Sequence, residues 1–164
     1  MTEDGELEAF WALARRYARM ESLPGYLAAN MGELVPPPAW SFGGTPEQAD
    51  ELLELVLSGQ KTATASAKWD YDAEDEPLPS VGALSILLDG SGRPRALIRT
   101  AKVDVVPFDQ VDAEHAHLEG EGDRSLEHWR EAHRRFFAEQ AQHPHGVSDY
   151  MPVVLERFEL LYSA

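Results

Sequence analysis

The chain has 164 residues, a formal net charge of -15 and no cysteine. That length fits one domain with one core, and the missing cysteines exclude a disulfide framework, a thiolate nucleophile and a thiolate zinc site. No apolar run reaches the ~20 residues a membrane helix needs, and Met1-Thr2-Glu3-Asp4 lacks the basic start of a signal peptide, so the expectation is a cytoplasmic protein with no membrane partner.

The acidic total argues against a protein that grips nucleic acid through its phosphates, because that grip needs a basic surface. The distribution is less uniform. Residues 1–60 sum to -7 and residues 103–164 to -8, whereas residues 61–102 are neutral. Lys61, Lys68, Arg93, Arg95, Arg99 and Lys102 fall in that neutral stretch. Solvated charges scattered by chance would look the same.

In chain order, residues 6–20 predict an amphipathic helix, with Leu7, Phe10, Trp11, Ala14 and Tyr17 on one face. Residues 22–44 are broken by Pro24-Gly25 and Pro36-Pro37-Pro38 and predict a linking segment, with one short helix around Tyr26–Met31. Trp40-Ser41-Phe42 fits a short strand or an anchored loop. Thr45-Pro46-Glu47-Gln48 is a capping box that opens a helix buried through Ala49, Leu52, Leu53, Val56 and Leu57. Gly59 ends it, and Lys61–Ala67 should follow as a strand. Residues 69–82 are acidic and proline-bearing and predict a loop. A hairpin is expected next: Ala83–Leu88, a turn at Asp89-Gly90-Ser91-Gly92, then one or two strands over Arg95–Val106. Residues 113–124 mix glycine with carboxylates and suit neither a helix interior nor a strand. Ser125 caps a helix from Leu126 to about Gln140 that turns Trp129, Ala132, His133, Phe136 and Phe137 inward. A His/Pro/Gly loop and a last strand, Val153–Tyr162, close the chain. Helices alternating with clusters of short strands predict an α+β fold, with a small mixed or barrel-like sheet.

Three constellations could carry chemistry. In Lys61, Thr62, Thr64 and Ser66, strand alternation would turn the three hydroxyls together, away from Lys61. A hydroxyl needs a partner to become a nucleophile, and a partly desolvated lysine can serve; threonines also simply suit strands. In Glu119-Gly120-Glu121-Gly122-Asp123, carboxylates on a glycine-rich turn could hold a divalent cation or act as general acid and base; a solvated acidic loop has the same composition. The six histidines show no His-Glu-x-x-His spacing, and ordinary surface or core roles are expected for them.

Taken in order, Gly59-Gln60-Lys61-Thr62-Ala63-Thr64-Ala65-Ser66, then Glu76-Pro77-Leu78-Pro79, then Glu119-Gly120-Glu121-Gly122-Asp123-Arg124-Ser125-Leu126-Glu127 with Trp129-Arg130, resemble the ASCH (activating signal cointegrator homology) domain, most of all its larger bacterial members. The likeness runs from about Trp40 to Tyr162. It implies residues 40–164 as a PUA-like domain, a small β-barrel surrounded by helices around a cleft, with residues 1–39 as a helical extension packed on it. It also implies a nucleoside or single-stranded RNA as partner, with no preference for DNA and no cofactor. Some members are amidohydrolases of N4-acylcytidines that use a lysine, a threonine three residues later and a downstream glutamate. Lys61 and Thr64 match the first two; Glu119 matches the third, with Glu121 two residues away. Thr62, Ser66, Trp69, Tyr71, Arg99, Glu121 and Arg124 are the expected substrate-binding residues. No metal ligand is assigned. Other members resemble metal-dependent ribonucleases or RNA-binding modules, and both remain alternatives: Trp69 or Tyr71 could stack a base, and the Glu119–Asp123 carboxylates could hold a metal.

Overall fold

The computed structural model describes residues 3–17 and 36–164. Residues 18–20 of the first expected helix and the turn of helix expected at Tyr26–Met31 lie outside them. The described helices are α1 (Glu3–Tyr17), α2 (Pro46–Leu57), α3 (Lys68–Ala73), α4 (Ala113–Glu119) and α5 (Leu126–Gln140). The strands are β1 (Ala39–Trp40), β2 (Ala63–Ala67), β3 (Leu84–Leu88), β4 (Pro94–Pro107) and β5 (Pro152–Ser163). They form one five-stranded mixed sheet in the order β1-β3-β4-β5-β2. β1 runs parallel to β3, whereas β3 with β4 and β2 with β5 are antiparallel. The fold is α+β.

Contacts divide the chain into two compact units. The first holds residues up to Leu57, Leu84–Arg99 and the C-terminal Leu160–Ala164. Here α1 buries Phe10, Trp11 and Ala14 against Ile86 of β3 and Leu97 of β4. α2 begins as its capping residues dictate: the Thr45 hydroxyl accepts the Gln48 N–H at 3.2 Å. Gln48 reaches back one residue further than the usual box, its side-chain oxygen accepting the Gly44 N–H at 2.7 Å. The β3–β4 hairpin turns where expected, and Asp89 ties it by accepting from the backbone of Ser91 and Arg93.

The second unit, Ser58–Ala83 with Thr100–Glu159, carries the candidate site. Its core gathers Ala65 and Ala67 of β2, Phe108, Val111, Ala116 of α4, Trp129 and Phe137 of α5, and Met151 and Val153. Three expectations are corrected here. The β2 strand starts at Ala63, so Lys61 and Thr62 precede it. The stretch expected as loop from residue 69 opens with α3. Ala113–Glu119 is helical, because Asp112 caps it by accepting the His115 N–H at 2.9 Å and Gly120 closes it at φ 73°. The glycine-carboxylate pattern that argued against a helix belongs to the turn just after it.

Candidate active site

The site assembles from the short segment before β2, the α4 helix with the turn that follows, and α5. Backbone and side-chain bonds fasten the first to the second. Thr62 N–H donates to the Leu118 carbonyl at 2.8 Å, and the Gln60 side-chain amide donates to the Gly120 carbonyl at 2.6 Å. Gly120 is required at this crossing. Its φ is left-handed, and a Cβ there would lie 2.5 Å from the Gln60 carbonyl oxygen. Arg124 braces the same crossing, its Nε donating to the His117 carbonyl at 3.0 Å and its guanidinium reaching the Gln60 carbonyl at 3.5 Å.

This stitching buries Lys61, which is 2% exposed. Its ammonium donates to the Ala63 carbonyl at 2.9 Å and to Glu121 Oε2 at 2.9 Å, and lies 3.5 Å from Glu119 Oε1. The first of these bonds sets the ammonium against the peptide that joins Ala63 to Thr64. Glu119 is buried too, and its two oxygens face four donors. His115 lies one turn earlier on α4, and its Nε2 is 2.7 Å from Oε2. The Trp129 indole N–H donates to the same oxygen, and His133 Nε2 lies 3.2 Å from Oε1, beside Lys61. Trp129 and His133 are also one turn apart, on α5, with stacked rings 4.2 Å between centroids.

The proton positions follow from these partners. The Trp129 carbonyl can only accept, so His133 Nδ1 is the donor in their 2.9 Å bond. Nε2 faces a carboxylate, which favours a proton there as well and so the charged imidazolium. Burial works against that charge, but the charge and hydrogen bond of Glu119 and the charge of Glu121 prevail and raise the His133 pKa. For Glu119, burial pushes upward; the charges of His133 and Lys61 and the His115 and His133 hydrogen bonds outweigh it and hold the carboxyl well below the usual range. Glu119 is therefore an ionised, fully engaged acceptor. Glu121, with a side chain 26% exposed, is the carboxylate of the pair that meets solvent.

One ligand atom each from Glu119, Glu121 and His133 lies within 4.8 Å of the others, a spacing a cation could use. A metal ion would have to displace the Lys61 ammonium, so the donor set as arranged suits the ammonium better.

The other expected site residues are placed as follows. Thr64 and Ser66 are half-buried and alternate with buried Ala63, Ala65 and Ala67, so their hydroxyls share one face of β2, and half-buried Thr62 precedes the strand. Ser66 is 2.9 Å from the Tyr71 hydroxyl. Trp69 is half-buried and flanked by the imidazoles of His143 and His145, at 5.2 and 5.0 Å between centroids. Arg99 pairs with Leu84 in the β3–β4 register, in the first unit. Sequence reasoning missed His115, Trp129 and His133 as partners of Glu119. The His115/Glu119 and Trp129/His133 spacings of four were visible on helices, but nothing in the sequence said that the two helices meet.

An ASCH domain family model matches residues 38–162. Among solved structures, a protein from Enterococcus faecalis V583 is 34% identical, with a TM-score of 0.77 over 95% of this chain and 88% of that one. An ASCH domain from Lactobacillus crispatus JV V101 is 28% identical, with a TM-score of 0.75 over 91% and 94%. A comparison with curated proteins finds no match. These neighbours support a PUA-like fold. With a family match over most of its length and the Lys61–Glu119 region inside it, the chain belongs to the ASCH domain family.

Proposed function

We propose that this ASCH domain is a hydrolase of a modified nucleoside, of the N4-acylcytidine amidohydrolase kind, working in the cleft of a small PUA-like barrel. The observation that carries the reading is the buried Lys61 ammonium, held by two carboxylates and set against the peptide that leads into Thr64. In this reading Thr64 is the nucleophile. Lys61 places positive charge against the Ala63–Thr64 peptide, and backbone N–H groups near Thr64 take the charge that builds on the carbonyl oxygen of the amide under attack. Glu119, saturated by donors, is a positioning residue that fixes Lys61. Glu121, open to solvent, carries protons between nucleophile, leaving amine and water. The balance is that of hydrolysis: amide and water give carboxylic acid and amine. A nucleoside ligand also suits an acidic chain, because it has no phosphate run to repel.

The test is to incubate the protein with N4-acetylcytidine and follow cytidine release by chromatography. Wild type releases cytidine, and Glu121→Gln slows release by about 10²-fold or more while the fold persists, the usual scale for a general acid/base. No release by wild type, or equal release by Glu121→Gln, rejects the assignment. The ribonuclease reading has one observation in its favour, the cation-sized spacing of Glu119, Glu121 and His133. It predicts RNA cleavage that stops when a chelator is added.

A further inference from the structure

The face of β2 that carries Thr64 is polar, and its neighbours make it more so. β5 sets Glu156 directly opposite Thr64 in register. Opposed residues of an antiparallel pair project to the same face with Cβ atoms about 5 Å apart. The Glu156 carboxyl accepts from the hydroxyl of buried Thr100 at 3.3 Å. Two residues along β2, Ser66 meets Tyr71, which α3 folds back over the strand end. Tyr71 and Glu156 sense each other, since burial first and then the Glu156 charge raise the phenol's pKa. The contacts described for Glu156 include no cation. Burial raises its own pKa, and the bond from Thr100 only partly opposes that. A half-buried carboxyl without a cationic partner costs free energy that an apolar residue would not.

We propose that Glu156, with Thr64, Ser66, Tyr71 and Thr100, forms a recognition pocket for an uncharged ligand edge that offers a hydrogen-bond donor beside an acceptor. The inference rests on the nucleoside reading above and states how that ligand is chosen. The Glu156 carboxyl offers an acceptor oxygen, and the hydroxyls of Thr64, Ser66 and Tyr71 can donate beside it. Together they can accept from an exocyclic N–H and donate to the adjacent ring nitrogen, the edge an N4-acylated cytosine presents. An acidic side chain there disfavours an anionic group beside it, so the pocket favours a nucleoside over a nucleotide.

Calorimetric titration of wild type, Glu156→Gln, Glu156→Ala and Thr100→Val with cytidine, N4-acetylcytidine and cytidine 5′-monophosphate tests this, with thermal melts as a folding control. Glutamine keeps an acceptor oxygen at that position without the acidic group. Glu156→Gln should hold the nucleosides within about threefold of the wild-type Kd, and Glu156→Ala should weaken them about tenfold or more, the scale of a lost hydrogen-bond pair. Thr100→Val should weaken them several-fold, which keeps the test open if the alanine variant does not fold. The monophosphate should bind more weakly than cytidine. Wild-type affinity in Glu156→Ala, a Glu156→Gln variant as weak as Glu156→Ala, or no binding of any of the three ligands by wild type overturns the pocket. Binding that needs Glu156 without any release of cytidine from N4-acetylcytidine keeps the pocket and rejects the hydrolase. Release of cytidine that is indifferent to Glu156 keeps the hydrolase and rejects the pocket.

Discussion

Lys61 is an ammonium taken almost wholly out of water, and its position is tolerable only because Glu119, Glu121 and the Ala63 carbonyl replace its hydration. Removing it strands the buried Glu119 charge. Lys61→Ala should therefore cost about 3–5 kcal/mol of folding free energy, read as a drop in denaturant midpoint. His133 yields a prediction with a definite pH sign. Its pKa is raised in the folded state, so the stability it contributes is complete below its ordinary value of 6.5 and lost as pH rises through the raised value. The gap in melting temperature between wild type and His133→Gln should accordingly be widest near pH 6 and narrow steadily toward pH 9. Glu119 has the opposite sense: its contribution is complete above the ordinary 4.5 and is lost progressively as pH falls below that value toward the lowered one. A gap between wild type and Glu119→Gln that stays flat from pH 5 down to pH 2 would contradict the ionised assignment.

Among the elements, α4 is only seven residues long and owes its place to its two ends. Asp112 caps the first turn, and Gly120 lets the chain pass under Gln60. Gly120→Ala adds both a left-handed strain and a contact with backbone that cannot swing aside. It should destabilise by about 2 kcal/mol or more, and should lower any activity out of proportion, because the crossing carries both Lys61 and Glu121. A Gly120→Ala variant with wild-type melting would show that the crossing is slack. By contrast Thr45→Ala, which removes the α2 cap in the first unit, should cost about 1 kcal/mol and leave any hydrolysis per folded molecule unchanged.

For the molecule as a whole, the -15 net charge sets what it can hold. Binding of an uncharged nucleoside should change little between 50 and 300 mM salt, whereas a phosphate-tracking RNA binder would lose affinity steeply over that range. Titrations of cytidine and of a short single-stranded RNA at several salt concentrations separate the two. The elements with strong local signals were legible from residue order alone: α2 from its cap and apolar stripe, the β3–β4 turn from Asp89–Gly92, and α5 from Ser125 and its inward aromatics. The ordered motifs also carried the family, and with it Lys61 and the Glu119–Glu121 turn as the place to look. α3 and α4 were hidden because short helices with acidic or glycine-flanked sequences have little periodicity, and their stability comes from caps and packing.

Local sequence thus determined which segments turn, cap and alternate, since those depend on neighbours within a few residues. It could not determine that His115, Trp129 and His133 converge on one carboxylate, or that Glu156 faces Thr64. Those pairings join residues from 4 to 92 positions apart, and only the packing of α4 on α5 and the register of β2 on β5 fixes them.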